Sequence, residues 1–172
     1  MAMTGDGKVY RYGSGDDDQL LSYPVGSAQQ LYYGEVALVS GGTGATKGYL
    51  KNGASPQSTD VVAGMVGEPA GGTYVKTGPG ILGGSTDGAV WVDVLTGAFF
   101  FQSVSGANAL SEASAGLTVY YKGENSNGPI ASTSSGDGPA LGQQQPQDPG
   151  IAGGFTPGPG YWPIVVNPSG RP

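Results

Sequence analysis

The stretch Ala89–Gln102, which reads A-V-W-V-D-V-L-T-G-A-F-F-F-Q, constrains the fold more than any other part of this chain. It is the longest run of β-branched and aromatic residues, and its apolar residues alternate with a period of two. Alternate residues of a strand share a face, so one face here carries only valines: Val90, Val92 and Val94. The pattern predicts a β-strand with at least one buried face.

The dipeptide Thr96-Gly97 interrupts this stretch before Phe99, Phe100 and Phe101 resume it. A glycine inside a strand pattern usually marks a bulge or a sharp bend. We therefore expect either one long bent strand or two strands joined at a corner, forming the spine of a small β-barrel. The apolar residues on both sides of the Phe run indicate a second covered face, against another sheet layer or another protein.

Composition limits how much of the chain folds and what surrounds it. The 172 residues fit one domain with appendages, and 34 Gly and 13 Pro predict disorder in parts of it. Charged residues make up only 12% of the chain, about half the usual share of a soluble domain. A surface so poor in charge suits a protein that is packed among many neighbours.

The missing residue types exclude several function classes. Without cysteine or histidine the chain has no disulfide, zinc ribbon or thiol catalysis. The net charge of −6 argues against binding to nucleic acid or to an anionic membrane. No apolar stretch approaches the roughly 20 residues that span a bilayer. The first residues lack the pattern of a secretory signal peptide, so we expect synthesis in a cytoplasm.

The first 21 residues are polar, broken by glycine, and acidic at their centre. We predict a flexible N-terminal arm over residues 1–21, in which four residues have strand propensity and form the candidate contact with a partner: Val9, Tyr10, Arg11 and Tyr12. Such an arm orders by adding a strand to the edge of a partner's sheet. A frayed terminus is the alternative that the residues leave open.

Residues 22–172 form the predicted β-barrel domain. Short strand-like runs separated by glycine-rich turns predict an all-β, partly open barrel or sandwich of about eight strands. One helical turn is expected within Ser105–Gly116. Besides the spine, the predicted strands are Leu20–Val25, Leu31–Ser40, Tyr49-Leu50, Val61–Val66, Thr73–Lys76 and Leu117–Lys122.

Residues 136–160 are rich in Gly, Pro and Gln and have almost no strand formers. We predict a long loop insertion there, with polyproline II stretches. Tyr161–Asn167 returns to strand composition and must pair back into the barrel, because its apolar residues need a covered site. Pro163 places this strand at an edge or at a bulge, since proline cannot donate to a ladder.

The sequence supports none of the enzyme motifs that its residues suggest. The sequence Gly78–Gly83 spells G-x-G-x-x-G, but Pro79 and the glycines that follow predict a loop and not the required strand and helix. A glycosidase pair could be drawn only from four scattered glutamates, namely Glu35, Glu68, Glu112 and Glu124. We predict no enzymatic activity, with no catalytic residue, no cofactor and no metal.

Adjacent aromatic residues are the remaining candidates for binding. In a strand, one member of such a pair faces inwards and the other outwards. Exposed aromatics bind a sugar or a protein neighbour, although the core is the better assignment for any single tyrosine. The candidate interface aromatics are Tyr32, Tyr33, Phe99, Phe101, Tyr161 and Trp162.

The order of these pieces resembles one known family. The run Y-P-V-G-S-A-Q-Q-L-Y-Y-G-E-V-A-L-V begins at Tyr23. It is followed by V-V-A-G-M-V-G-E, V-W-V-D-V-L-T-G-A-F-F-F and G-L-T-V-Y-Y-K, and later by the strand at Tyr161. This order is similar to that of the small β-barrel decoration proteins, also called head-stabilising or cement proteins, of tailed bacteriophages. The acidic arm and the 136–160 insertion depart from that pattern.

The resemblance implies a structural virion protein that binds the outside of a phage capsid and stabilises the head. Its partners would be the major capsid protein and further copies of itself, a homotrimer being favoured over a dimer. The resemblance carries no catalytic residues. A carbohydrate-binding module of a phage fibre is the alternative from another class, and a cryptic glycoside hydrolase is a third.

Overall fold

The computed structural model describes residues 2–7, 20–42, 47–69, 80–146 and 160–166. This part of the chain is all-β, as predicted, with twelve strands and a single turn of 3₁₀ helix at Glu112–Ser114. Three of the strands have only two residues each, and they account for most of the excess over the roughly eight expected. The strands are β1 Leu20–Pro24, β2 Gln30–Leu31, β3 Val36–Val39, β4 Leu50–Lys51, β5 Val61–Pro69, β6 Ile81–Leu82, β7 Trp91–Leu95, β8 Gly97–Ser103, β9 Thr118–Asn125, β10 Gly128–Ser132, β11 Ala140–Gln144 and β12 Tyr161–Val166.

The first half of the chain builds a five-stranded antiparallel sheet in the order β1-β7-β5-β3-β4. Its two outer strands approach each other where Val25, directly after β1, forms a parallel bridge with Leu50 of β4. The N–H of Gly26 also donates to the Leu50 carbonyl at 2.9 Å. The sheet is therefore curled towards a barrel, and we call it the curled sheet.

The second half of the chain forms a closed five-stranded barrel in the order β10-β8-β12-β11-β9. All its neighbouring strands are antiparallel except β10 and β8, which close the ring in parallel at Ile130↔Gln102 and Ala131↔Ser103. The fold prediction of an all-β barrel is confirmed, with a complete barrel beside the curled sheet.

Each face of the curled sheet contributes to a separate core, although Leu21, Val61 and Trp91 remain exposed. Inside the curl, Ala37, Val92 and Val94 pack with the β2–β6 ribbon. On the other face, Val36 and Leu95 join the residues that fill the closed barrel. Burial on two faces explains why β3 and β5 read as continuous apolar runs in the sequence.

The stretch Ala89–Gln102 lies at the junction of the two halves. It forms two strands joined at a corner, β7 in the curled sheet and β8 in the closed barrel. Gly97, the first residue of β8, has a φ of +129°, which side chains with a Cβ rarely adopt. The corner predicted at Thr96-Gly97 is confirmed, and it is where the chain passes from one half to the other.

The loop predicted over residues 136–160 is wrong for Ala140–Gln144, which forms β11 between β9 and β12. Leu141 is fully buried, and the side chain of Gln144 is buried with two hydrogen-bond partners. Local composition is a poor guide here because β11 lies between two partner strands that complete its ladders. Residues 147–159 lie outside the described residues.

Strand β12 pairs back into the barrel as predicted, but its position is not the one that Pro163 suggested. It lies between β8 and β11, so it is not an edge strand, and its ladders with both neighbours run without a register shift. The carbonyl of Pro163 accepts from the N–H of Gln145 at 2.8 Å, just beyond the end of β11. The N–H that proline lacks therefore falls at the end of the ladder, where its absence costs least.

The predicted helical turn in Ser105–Gly116 is present as the 3₁₀ turn Glu112–Ser114. The predicted strand Thr73–Lys76 lies outside the described residues. Within the ranges that the structure describes, no helix has the length and hydropathy needed to cross a membrane.

Candidate functional site

The residues predicted from sequence to form an interface fall into three groups in the structure. The arm residues Val9, Tyr10, Arg11 and Tyr12 lie outside the described residues. Phe99 and Phe101 are buried in the core that the closed barrel shares with the curled sheet. The prediction that these two phenylalanines form an interface is therefore wrong. Both point inwards because β8 alternates, and Phe99 lies opposite the buried Ile164 of β12.

The other four predicted aromatics are partly exposed. Tyr33 and Trp162 pack with part of their surface against the shared core. Tyr161 lies opposite Gln102 on the outer side of the barrel, and Tyr32 lies beside the β2–β6 ribbon. The remaining adjacent pair divides as the sequence predicts, with Tyr121 fully buried and Tyr120 half-buried.

The outer side of the closed barrel carries an uncharged surface that sequence reasoning missed. The strand registers place one residue from each of four neighbouring strands in a row, with Ala98 opposite Val165, Val165 opposite Gln143, and Gln143 opposite Thr118. Val165 is 40% exposed, Gln143 and Thr118 are exposed, and Ala98 is half-buried. We call these four residues the barrel row.

Further uncharged residues continue the barrel row on both sides. Tyr120 lies further along β9, and Leu117 immediately precedes β9 with 55% of its surface exposed. Tyr161 lies further along β12, beyond the buried Pro163. The first charged pair along β9 is Lys122 with Asp137, whose Nζ and Oδ1 atoms are 2.9 Å apart. Along β9 the uncharged surface therefore ends at an ion pair, and it contains aliphatic, amide, hydroxyl and aromatic groups.

The second site contains two glutamates, the fully buried Glu35 and the half-buried Glu124, whose carboxyl groups both approach Gly53. The N–H of Gly53 donates to Glu35 Oε1 at 2.9 Å, and its carbonyl accepts from the Tyr121 hydroxyl at 2.7 Å. A Cβ at this position would lie 3.2 Å from Glu124 Oε2 and 2.6 Å from the Tyr121 oxygen. Because glycine has no Cβ, the carboxyl groups of Glu35 and Glu124 and the Tyr121 hydroxyl can all approach the backbone of Gly53. We call Glu35, Gly53, Tyr121 and Glu124 the acid cluster.

Burial controls the protonation of the acid cluster. It raises the pKa of Glu35 to about 8, with a further contribution from the charge of Glu124, while hydrogen bonds from the backbone of Gly53 and Tyr32 act in the opposite direction. Burial likewise raises the pKa of Glu124, and the N–H of Met3 lowers it in part. For Tyr121, burial and then the two neighbouring glutamates raise the pKa. Glu35 is therefore neutral at pH 7.

The acid cluster does not form an accessible catalytic pair in this structure. Glu35 has no exposed surface, and both of its carboxyl oxygens accept hydrogen bonds from backbone N–H groups. Glu112 is exposed on the 3₁₀ turn, away from this cluster in the chain. Among the described residues, no group of three or more metal-ligating side chains comes together. In the sequence, Glu35 stands directly before the apolar run V-A-L-V, and this position is the feature that could have indicated a buried carboxyl group.

Comparison with known proteins adds no relative to this description. No family model, no curated protein and no solved structure matches the chain.

Proposed function

We propose that this chain is a non-enzymatic structural protein of a tailed-phage head, where it binds the outer surface of the capsid and stabilises it. The observation that carries the proposal is the barrel row, an exposed and uncharged surface crossing four strands of a closed barrel. The resemblance of the sequence to phage decoration proteins supplies the capsid as the partner.

The barrel row has the chemistry of the centre of a protein interface. Charged groups lose strong hydration when a partner covers them, so the centres of interfaces are depleted of charge. Val165 and Leu117 offer apolar area, while Gln143 and Thr118 have side chains that bond to a partner's backbone or side chains. Because the chain has a net charge of −6, this uncharged surface is the one that a protein neighbour can cover with the smallest desolvation penalty.

Rigidity of the backbone supports the same role. The barrel is closed by hydrogen-bonded strands on every side, and its interior is filled by large side chains such as Phe99, Phe101 and Tyr121. A rigid surface loses little conformational entropy on binding. Stabilisation would then follow from mass action, because a ligand that binds only the assembled shell shifts the equilibrium towards that shell.

Two further parts of the proposal come from the sequence alone. Residues Val9–Tyr12, which lie outside the described residues, would add a strand to the edge of a capsid sheet. A homotrimer would suit the threefold positions that capsid lattices offer. Light scattering of the free protein at several concentrations tests the trimer in solution, and a reconstruction of the decorated particle tests it on the head.

Cosedimentation with undecorated heads of the phage that encodes the chain tests the proposal directly, in parallel with a glycan array. The expected result is saturable binding to heads, higher resistance of the decorated heads to heat, and no glycan bound. Glycan binding without head binding would overturn the proposal in favour of a carbohydrate-binding module.

A further inference from the structure

Residues 2–7 form a strap that joins the closed barrel to the curled sheet. At one end, the N–H of Met3 donates to Oε1 of Glu124 on β9 at 3.0 Å. The Met3 side chain is 6% exposed, so it is anchored in the protein interior and not on the surface. The expectation of a flexible arm from residue 1 did not include this packing.

The other end of the strap is bound to the first half of the chain. Asp6 Oδ1 accepts from the N–H of Tyr33 at 3.0 Å and from the N–H of Gly80 at 3.1 Å. The N–H of Gly7 donates to the Tyr33 carbonyl at 2.7 Å. At this end the strap is held by three hydrogen bonds between exposed or half-exposed groups. At the Met3 end the backbone hydrogen bond goes to one carboxyl group, that of Glu124 in the acid cluster.

That carboxyl group is the least constrained member of the acid cluster. Glu35 is held by two backbone N–H groups, from Gly53 and Tyr32. Glu124 has a bond from Met3 at Oε1, while its Oε2 is buried without any hydrogen-bond partner among the described residues. An unsatisfied buried carboxylate oxygen costs free energy, and this cost is tolerable only while the neighbouring carboxyl group is uncharged.

We propose that the strap is a pH-dependent latch, which Glu124 holds closed while Glu35 is neutral and releases once Glu35 becomes negatively charged. Two negative charges beside Gly53, one of them fully buried, repel each other because burial leaves them poorly screened by solvent. Because Glu35 is held in place and Glu124 is only half-buried, Glu124 is the group that turns towards solvent. Its departure removes the acceptor of the Met3 N–H and opens the site in which the Met3 side chain lies.

Within the ranges that the structure describes, the charged and titratable groups near the acid cluster come from the strap, β9, the turn before β3 and the strand before Gly53. The strap contributes Asp6, which is exposed and bound to the backbone at the far end. The positive charge of the amino terminus also acts on Glu124 and lowers its pKa, and it is unchanged in Glu35→Gln, so that variant separates its titration from that of Glu35. Strand β9 contributes Glu124 and Tyr121, and the turn before β3 contributes Glu35. Lys51, on the strand before Gly53, is paired with Asp60 at 2.6 Å and does not neutralise the glutamates. Burial and the Glu124 charge raise the pKa of Glu35 to about 8, which sets the latch to open in mildly alkaline solution.

Methyl NMR on the full chain, labelled with ¹³C at the methionine methyl groups, tests the latch between about pH 6 and pH 9.5, a range that spans the raised pKa of Glu35. Met3 reports on the strap, and Met65, which is 3% exposed in the shared core, reports on global folding. The expected result is that the Met3 signal moves to the position of a solvent-exposed methionine as pH rises, while the Met65 signal keeps its position. Movement of both signals together, or of neither, would overturn the proposal.

Two variants separate the latch from a general effect of alkaline pH. In Glu35→Gln the negative charge cannot form, so Met3 should stay buried across the whole pH range. In Glu124→Gln the amide carbonyl still accepts from the Met3 N–H without repelling Glu35, and the same result is expected. This second variant keeps the test valid if the first fails to fold. Glu112→Gln, at an exposed position, should titrate like the original chain, and a Met3 transition that persists in Glu124→Gln would refute the latch.

Discussion

The Tyr121 hydroxyl donates a hydrogen bond of 2.7 Å to the carbonyl oxygen of Gly53, and this bond connects the closed barrel to the curled sheet. Tyr121 is fully buried on β9, and Gly53 lies two residues after the end of β4, an outer strand of the curled sheet. Since neither group has access to water, each depends on the other for its hydrogen bond. The contact is therefore a sensitive point for the stability of the whole chain.

Replacing Tyr121 by Phe should lower the free energy of unfolding by about 1–3 kcal/mol, because the Gly53 carbonyl is left buried without a donor. The ring itself stays and continues to fill the barrel, so no large cavity contributes. Urea denaturation followed by tryptophan fluorescence measures the change. Tyr120→Phe, at the half-buried neighbouring position, is the matched control and should change stability by less than about 0.5 kcal/mol.

Replacing Gly53 by Ala should also destabilise the protein, by about 1–3 kcal/mol, because the added methyl would lie 2.6 Å from the Tyr121 oxygen. The control is Gly136→Ala, since a Cβ there meets only Ser134 Oγ at 3.6 Å, an ordinary contact distance. Thermal unfolding of both variants by circular dichroism makes the comparison. Equal melting temperatures for the two would contradict the close packing assigned to Gly53.

Stability should fall as pH rises from about 4.5 to about 8, because the pKa of Glu35 is raised from its ordinary 4.5 to about 8 in the folded chain. Below pH 4.5 the group is protonated in both states and its contribution is fully present. Between the two values the folded state holds one more proton than the unfolded state, so the slope approaches about 1.4 kcal/mol per pH unit. Urea denaturation across this range should show a decline that Glu35→Gln flattens, and an unchanged slope in that variant would contradict the assignment.

Replacing Val165 by Lys should weaken binding to phage heads by about tenfold or more without unfolding the barrel, because it places a charge in the barrel row. Cosedimentation at a series of protein concentrations measures the affinity. Leu82→Lys is the control: Leu82 is 48% exposed, but it lies on β6, outside the barrel row. If both variants lose affinity equally, the docking surface does not coincide with the barrel row.

Replacing Gln144 by Leu should destabilise the chain by about 1–3 kcal/mol although it adds apolar volume to a buried site. Its Nε2 donates to the Ser111 carbonyl at 2.7 Å, and its Oε1 accepts from the Ser114 hydroxyl at 2.7 Å. The Ser111 carbonyl would still accept from the Ser114 N–H, and the Ser114 hydroxyl would still bond to Ser111, so the loss is that of the two bonds that tie the 3₁₀ turn to β11. Gln143→Leu, at the exposed position next to it, serves as control in the same denaturation experiment.

Several features of the fold were determined by residues close together in the sequence. The alternation of valines predicted β7, and Thr96-Gly97 predicted the corner between β7 and β8, which the positive φ of Gly97 explains. The all-β class and the return of Tyr161–Val166 into the barrel followed from similar short-range patterns. Such signals are local, because strand propensity and turn geometry depend mainly on neighbouring residues.

Other features were decided only by the tertiary structure. The strand at Ala140–Gln144 forms because β9 and β12 lie on both sides of it, and Phe99 faces the core because the barrel closes around β8. The acid cluster brings Glu35 and Glu124 together from different halves of the chain. Pairing partners, the buried face and the dielectric around a carboxyl group all depend on residues far away in sequence. Local composition therefore cannot predict these three properties, because they arise only when the two halves of the chain pack together.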